Sequence, residues 1–574
     1  MTVTCGQAGK TQPVPTVQRS NQKAGREPGG EAEMKLSNAG ITDRSIWEAN
    51  GYHLPAYDRA KMVEETRNHP VWVHFGAGNI FRAFHAALAQ KLLESGAAQQ
   101  GITVAEGYDY EIIEKQYRPH DNLSVLVTLK ADGQVDKSVI GSIAESCILD
   151  SARPAEFNRL KEIFSAPSLQ MATFTVTEKG YSLVNGRGEM IPDVVSDFAE
   201  GPAQPTSYIG KVAALLYARF QAGKLPIAMV STDNCSHNGE KLYGAVVPFA
   251  DAWVKNGKAD PAFASYVRDE KLVSFPWSMI DKITPRPDAS VEAILRADGL
   301  EDLDPVVTTK KTWVAPFVNA EETEYLVVED AFPNGRPALE KAGVIFTDRD
   351  TVNKVERMKV TTCLNPLHTA LAVYGCLLGY TKISDEMKDP DLTALVRRLG
   401  YQEGLPVVVN PGVLDPKEFI DTVVNVRVPN PFMPDTPQRI ATDTSQKLAI
   451  RYGETIKSYL ADPKLSVNSL RMIPLVQAGW LRYVMAVDDD GRAFEPSPDP
   501  MLSSVQQVVS AFRVGSPVSA EEAEKTLRPL LTDDKLFGVD LEKAGLADRV
   551  CGYFVRELTG PGAVRKTIEE ALNE

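Results

Sequence analysis

Residues 71–81 read Val71-Trp72-Val73-His74-Phe75-Gly76-Ala77-Gly78-Asn79-Ile80-Phe81: a short apolar run, a glycine turn and the opening of an amphipathic stretch. The apolar run has the length and composition of a buried strand. From Asn79 to about Ser95, residues Ile80, Phe84, Ala87, Leu88 and Leu92 recur at helical spacing on one face. A second strand, Ile102 to Ala105, ends at Glu106. Strand, glycine turn, helix and strand together form the unit in which a helix N-terminus receives a dinucleotide pyrophosphate. Gly76 permits the tight turn, and Gly78 lets backbone approach the pyrophosphate where the helix opens at Asn79. Phe81 stands where a third glycine would let helix and strand pack closely, so a wider separation is expected. Glu106 is placed to accept hydrogen bonds from adenosine ribose hydroxyls and to repel a 2′-phosphate, which favours NAD over NADP. Asp109 is the competing acid, and Lys115 and Arg118 close behind keep an NADP preference open.

Strand-like and helical segments continue to alternate beyond this unit. Ser124 to Leu129, Ser138 to Ile140, Ala172 to Val176 and Pro226 to Ser231 read as strands, with helical runs at Pro154 to Phe164 and Tyr208 to Gln221. Such alternation predicts a mostly parallel sheet covered by helices. After about residue 290 strands become rare and helical patterns dominate, as over 351–380, 386–399, 435–460, 464–484, 501–513, 519–531 and 541–571. The expected architecture is an α/β N-terminal Rossmann-like dinucleotide-binding domain over 34–300, followed by a mostly α-helical C-terminal domain over 301–574. The cleft between them is the expected ligand site. Residues 1–33, polar and rich in Gly, Gln and Pro, are expected to be a disordered N-terminal extension.

The whole chain has 574 residues and a formal net charge of −14, which disfavours nucleic acid and anionic membranes as partners. Its six cysteines contain no C-x-x-C pair, as in a reduced, cytoplasmic protein. No apolar run reaches the ~18 residues of a membrane span, and the N-terminus lacks a signal-peptide core. No H-E-x-x-H, P-loop or G-x-S-x-G motif is present. A small molecule is therefore the expected partner, no metal is expected, and the chain is read as a monomer or small homo-oligomer.

Five further segments carry the chemistry. They are Thr175-Val176-Thr177-Glu178-Lys179-Gly180-Tyr181, Ser231-Thr232-Asp233-Asn234 continuing to Gly239, Phe275-Pro276-Trp277-Ser278-Met279-Ile280-Asp281 continuing to Pro285, Glu329-Asp330 continuing to Pro337, and Glu356-Arg357-Met358-Lys359 leading to Asn365-Pro366-Leu367-His368. In this order and spacing the chain resembles the polyol-specific long-chain dehydrogenases, a family that includes mannitol 2-dehydrogenase and fructuronate reductase (mannonate oxidoreductase). The resemblance runs from about Leu54 to the C-terminal helices.

It implies a metal-independent, NAD-dependent oxidoreductase that interconverts a polyol or aldonate with its ketose or keto-uronate. In the family pattern Lys359 is the general acid/base, Asn234 and Asn365 steady the oxyanion, and His368 orients the alcohol. Glu356 and Glu178 match acidic residues near the lysine and are expected to relay the proton. Asp281, Arg427 and Asn430 match substrate-side positions, Arg427 and Asn430 through the segment Arg427-Val428-Pro429-Asn430-Pro431. Residue chemistry supports these roles independently. A lysine becomes a base when desolvation or nearby positive charge disfavours its ammonium form, and amides donate to an alkoxide without titrating. An arginine fork suits hydroxyls or a terminal carboxylate.

One departure stands out. The family spaces its lysine and asparagine five apart, whereas Lys359 and Asn365 are six apart. One extra residue rotates a helix by ~100°, and Pro366 disfavours helical geometry at Asn365. A π bulge or an unwound turn is expected to absorb it. Two other readings stay open: a non-catalytic nucleotide- or sugar-sensing protein on the same fold, and a dehydrogenase of a phosphorylated polyol with extra basic residues near Arg427.

Overall fold

The computed structural model describes residues 34–433 and 435–574; the extension expected over 1–33 lies outside the described residues. Six parallel strands form the central sheet: β1 (Trp72–Phe75), β2 (Ile102–Glu106), β3 (Ile143–Ile148), β4 (Met171–Phe174), β5 (Ile227–Ser231) and β6 (Val273–Ser274). Their order is β3-β2-β1-β4-β5-β6. Val73, Phe75, Ala172 and Phe174 face one core with Leu160, Phe164, Leu216 and Trp253. Trp72, Val104 and Met171 face the opposite core with Phe84, Leu88 and Leu92. Burial on both faces explains why these strands read as unbroken apolar runs. Strand order reverses between β1 and β4, and the crevice outside their carboxyl ends is where such sheets take ligands.

The helix that follows the glycine turn runs from Asn79 to Glu94 and contains a widened π turn, Phe81–His85. Phe81 fills the place of a third glycine by stacking on His74 of β1, with ring centroids 4.3 Å apart and 17° between the planes. The paired rings occupy space that a glycine would have left for closer packing. The helix Tyr208–Gln221 begins where the Ser207 hydroxyl accepts the amide of Gly210, which satisfies one orphan donor of the first turn.

Strands persist beyond residue 290, contrary to expectation. Phe317–Glu321 pairs in parallel with Ser124–Leu129. Tyr325–Glu329 pairs antiparallel with Ser278–Asp281 and parallel with Ile345–Thr347. These strands are short, and none pairs with its immediate neighbour through a tight hairpin, so local periodicity carries little trace of them. We therefore place the division between the lobes near 348 instead of 300. Downstream, the helix Asn365–Leu377 sits at the centre of the largest core. It packs on Met472–Val484, where the Tyr374 hydroxyl donates to the Leu475 carbonyl at 2.6 Å. No helix among the described residues is long and apolar enough to cross a membrane.

Gly76 carries the turn on which the dinucleotide reading rests. Its φ is +108°, and a Cβ there would run into the Thr175 carbonyl. Gly76→Ala is expected to cost about 2–4 kcal/mol from backbone strain and overpacking. Urea unfolding followed by tryptophan fluorescence checks this, and an unshifted midpoint would contradict it.

Candidate active site

The carboxyl ends of β4 and β5 open into a cleft of about 1050 Å³ that Asn234, Asp281, Lys359, Asn365, His368 and Arg427 all help to line. Asp233 shapes this end of the sheet. Its carboxylate accepts the amides of Val176 (3.0 Å) and Thr177 (2.8 Å) and the hydroxyl of Tyr181. It thereby holds Thr177 at a φ of +66°. The Asn238 side chain donates to the carbonyls of Asp233 and Ser278 and accepts the Ser278 amide at 3.0 Å. This clip fixes Asn234 against the strand Ser278–Asp281.

The helix Arg349–Met358 lays Val352, Val355 and Met358 against Met279 and Val327, and so delivers the next residue, Lys359, to the end of that strand. Its amine donates to Asn234 Oδ1 at 2.9 Å and to the Ile280 carbonyl at 2.8 Å. With Oδ1 turned to the amine, Asn234 keeps its Nδ2–H donors for the cleft. Lys359 is buried, and burial drives its amine below the ordinary lysine range. Asp281 opposes that shift, Arg427 reinforces it, and Glu356 and Glu321 oppose it.

The extra residue is absorbed by a π turn, Lys359–Cys363, in which the Leu364 amide reaches back to the Lys359 carbonyl at 3.1 Å. Leu364 then breaks the helix at φ −130°, ψ −63°. A new helix opens at Asn365, with Pro366 in its first turn, where proline is tolerated. Asn365 and His368 share this first turn. Burial pushes the His368 imidazole down to about 4, with Asp435 opposing and Arg427 reinforcing. His368 is therefore a neutral ring, able to donate from one nitrogen and accept at the other.

Arg427 departs from expectation. It ends another π turn, Val423–Arg427, and its guanidinium is enclosed by two buried carboxylates. Nη1 and Nη2 donate to Asp281 at 2.6 and 3.0 Å, while Nε and Nη2 donate to Glu321 at 3.0 and 2.8 Å. Four of its five N–H donors are thus taken, which leaves one on Nη1 and no fork for a substrate carboxylate. Burial alone would raise the Asp281 carboxyl, but Arg427 and Lys359 outweigh it and hold the group below its ordinary range. Asp281 is accordingly a partner of Arg427 instead of a free substrate ligand. Glu321 has no motif around it in the sequence, and sequence reasoning missed it.

Two of the expected site residues are tied up within the chain, and a third stands at the rim of the cleft. Asn430 is buried with its amide tied to backbone, donating to the Leu129 carbonyl and accepting the Phe432 amide, so it anchors a loop and holds no substrate. Glu178 lines the same cleft as Lys359 at its exposed rim, where its carboxylate pairs with Lys241. Asp109 is buried and accepts the Thr308 hydroxyl at 2.6 Å. Glu356 remains half-buried one helical turn before Lys359.

At the glycine turn, Glu106 accepts the amides of Ala77 (2.8 Å), Tyr108 (2.7 Å) and Asp109 (3.0 Å). The carboxylate thus ties β2 to the turn and has further lone pairs for ribose hydroxyls. A Cβ on Gly78 would meet nothing within 4 Å, which is the open cradle a pyrophosphate needs beside the helix that starts at Asn79. The Asn79 side chain is a strut, accepting from Arg82 at 2.8 Å and donating to the Pro285 carbonyl at 3.4 Å. Lys115 and Arg118 are paired with Glu111 and Glu156. Among the cleft's other cations, Lys282 is paired with Glu324 and Arg439 with Asp435. Arg286, between Pro285 and Pro287, has no ion partner among the described residues.

Comparison with known proteins agrees with this geometry. Residues 71–341 match the mannitol dehydrogenase Rossmann domain and residues 351–552 match the mannitol dehydrogenase C-terminal domain. The chain is 52% identical to a D-mannonate oxidoreductase of Thermotoga maritima over 94% of its own length and 99% of that protein's. It is 31% identical to a mannitol 2-dehydrogenase of Cereibacter sphaeroides, covering 79% of this chain and 87% of the relative. A solved ternary complex of Pseudomonas fluorescens mannitol 2-dehydrogenase with NAD and D-mannitol superposes with a TM-score of 0.68 at 26% identity, over 94% of this chain and 100% of that one. With a glycine turn, a buried amine and both family domains in sequence, the chain belongs to the mannitol dehydrogenase family.

Proposed function

We propose that this chain is a mannonate oxidoreductase, an NAD-dependent enzyme that interconverts an aldonate, mannonate first among them, with its keto-uronate. Polyols are the weaker substrates. The observation that carries the reading is the amine of Lys359, buried at the strand ends and hydrogen-bonded to Asn234. The extent of the match to the mannonate oxidoreductase selects the aldonate. Glu106 at the ribose end, with Lys115 and Arg118 both neutralised, supports NAD over NADP.

When bound, the nicotinamide takes up or returns the hydride. Lys359, as a neutral amine, takes the hydroxyl proton in oxidation; as an ammonium it returns a proton in reduction. The amides of Asn234 and Asn365 donate to the oxygen as its charge develops, and neutral His368 orients the alcohol. Glu356 passes the proton between Lys359 and solvent. The spare Nη1–H of Arg427 reaches one substrate hydroxyl. The terminal carboxylate falls to Arg286, the cleft cation without a carboxylate of its own. A sensor reading loses its motive because the π turn absorbs the extra residue. A phosphate ester is disfavoured because Asp281 and Glu321 surround Arg427.

Turnover on mannonate, fructuronate, mannitol and fructose, followed by nicotinamide absorbance, tests the reading; cofactor binding without turnover on any of them would refute it. Lys359→Ala is expected to lower kcat by about 10²–10⁴-fold while NADH still binds in a fluorescence titration. The amine's lowered pKa fixes the sign of the pH dependence. Oxidation should rise with pH and reduction should fall, both through a midpoint below the ordinary ~10.4 of lysine. Arg286→Gln should raise KM for mannonate by roughly tenfold or more, the scale of one charge-assisted hydrogen bond, and leave mannitol unaffected. A rise in KM for NADH alone would instead assign Arg286 to the cofactor's phosphates.

A further inference from the structure

Glu321 lies at the end of the strand Phe317–Glu321, is 3% exposed, and its carboxylate meets the lining of the cleft through Arg427 and the Ile283 amide. Its partners are all N–H donors: Arg427 Nε on Oε2, and Arg427 Nη2 and the Ile283 amide on Oε1. Burial and the Asp281 carboxylate raise the Glu321 carboxyl, whereas Arg427 and the Ile283 amide oppose that rise, and all three of its hydrogen bonds favour the ionised form. Asp281, Arg427 and Glu321 then carry −1, +1 and −1, a buried cluster with one net negative charge. The cluster adjoins Lys359, because the Ile280 carbonyl that accepts the amine precedes Asp281 directly. Glu356, on the helix leading into Lys359, also acts on the amine, and the neutral His368 lines the same cleft.

We propose that Glu321 is a positioning residue for Lys359: by clamping Arg427 against Asp281 it keeps the guanidinium turned from the reacting oxygen and its charge over-neutralised beside the amine. This rests on the assignment of Lys359 as the acid/base. Without Glu321 the cluster is neutral, and the amine faces a cation no longer outweighed. The ammonium form that reduction requires is then held less tightly. With Glu321 in place the ammonium form is held more tightly, while burial still keeps the neutral amine more accessible than in an ordinary lysine.

Glu321→Gln and Glu321→Asp in the full chain test this. Two readouts are taken against pH: kcat in both directions with mannonate and fructuronate, and the rate at which trinitrobenzenesulfonate labels Lys359, read by peptide mass. For Glu321→Gln both midpoints should fall by about 0.5–1 pH unit, a three- to tenfold loss of proton affinity. Glu321→Asp keeps the charge and should keep the midpoint, whatever it does to kcat. A Gln variant that loses activity with its midpoints unmoved makes Glu321 merely structural and overturns the proposal. Should the Gln variant not fold, the Asp variant decides, since a midpoint displaced by more than about 0.5 unit contradicts control by charge. If the wild type turns over neither substrate, the enzyme reading falls, and the labelling midpoint still tests the electrostatic one.

Discussion

A single buried guanidinium joins the two lobes of this molecule at the point where chemistry takes place. Arg427 comes from the helical lobe, while Asp281 and Glu321 come from strands of the other lobe. Taking three charges out of water is costly, and the attraction between them offsets that cost only when geometry and hydrogen bonding are complete. Here four N–H donors meet four carboxylate oxygens, and the Ile283 amide satisfies a further lone pair. What the arrangement secures is a unique relative placement of strand ends and helices. The Ile280 carbonyl that receives the Lys359 amine lies next to Asp281 in the same strand, so the cluster and the amine share one strand end.

Irregular helix is the second recurring device. Lys359 opens one π turn and Arg427 closes another, while Phe81 opens a third directly after the glycine turn. A widened turn re-aims the residues at its edge relative to the regular helix on either side. At Lys359 it lets one helix stay packed on the strands while the next starts afresh at Asn365 with its own phase. At Phe81 it accompanies an aromatic ring standing where the fold ordinarily has a glycine.

What could be read from the sequence follows from how far each signal reaches along the chain. The strands of the central sheet are visible because burial on both faces makes them apolar throughout. Gly76 is visible because only glycine fits its positive φ and its contact with the Thr175 carbonyl, and Gly78 because it leaves the turn open. Lys359, Asn234, Asn365 and His368 are recognised through ordered motifs, and the structure brings them to one cleft. The strand Phe317–Glu321 was not legible, nor was Glu321, because each acquires its meaning from a partner more than a hundred residues away. Arg427 was misread for the same reason: a lone arginine in a motif looks free until its carboxylates are found. Asn430 and Asp109 likewise have the side chains of ligands but bind only groups of this chain.

The helix Arg349–Met358 lays Val352, Val355 and Met358 on Met279 and Val327, and the helix from Asn365 continues the same core. The π turn Lys359–Cys363 therefore lies between an amine and a carboxamide that are near neighbours in the chain. Its winding sets the gap in which the alcohol oxygen must sit, so gaining or losing one residue there would part the base from the amide donor.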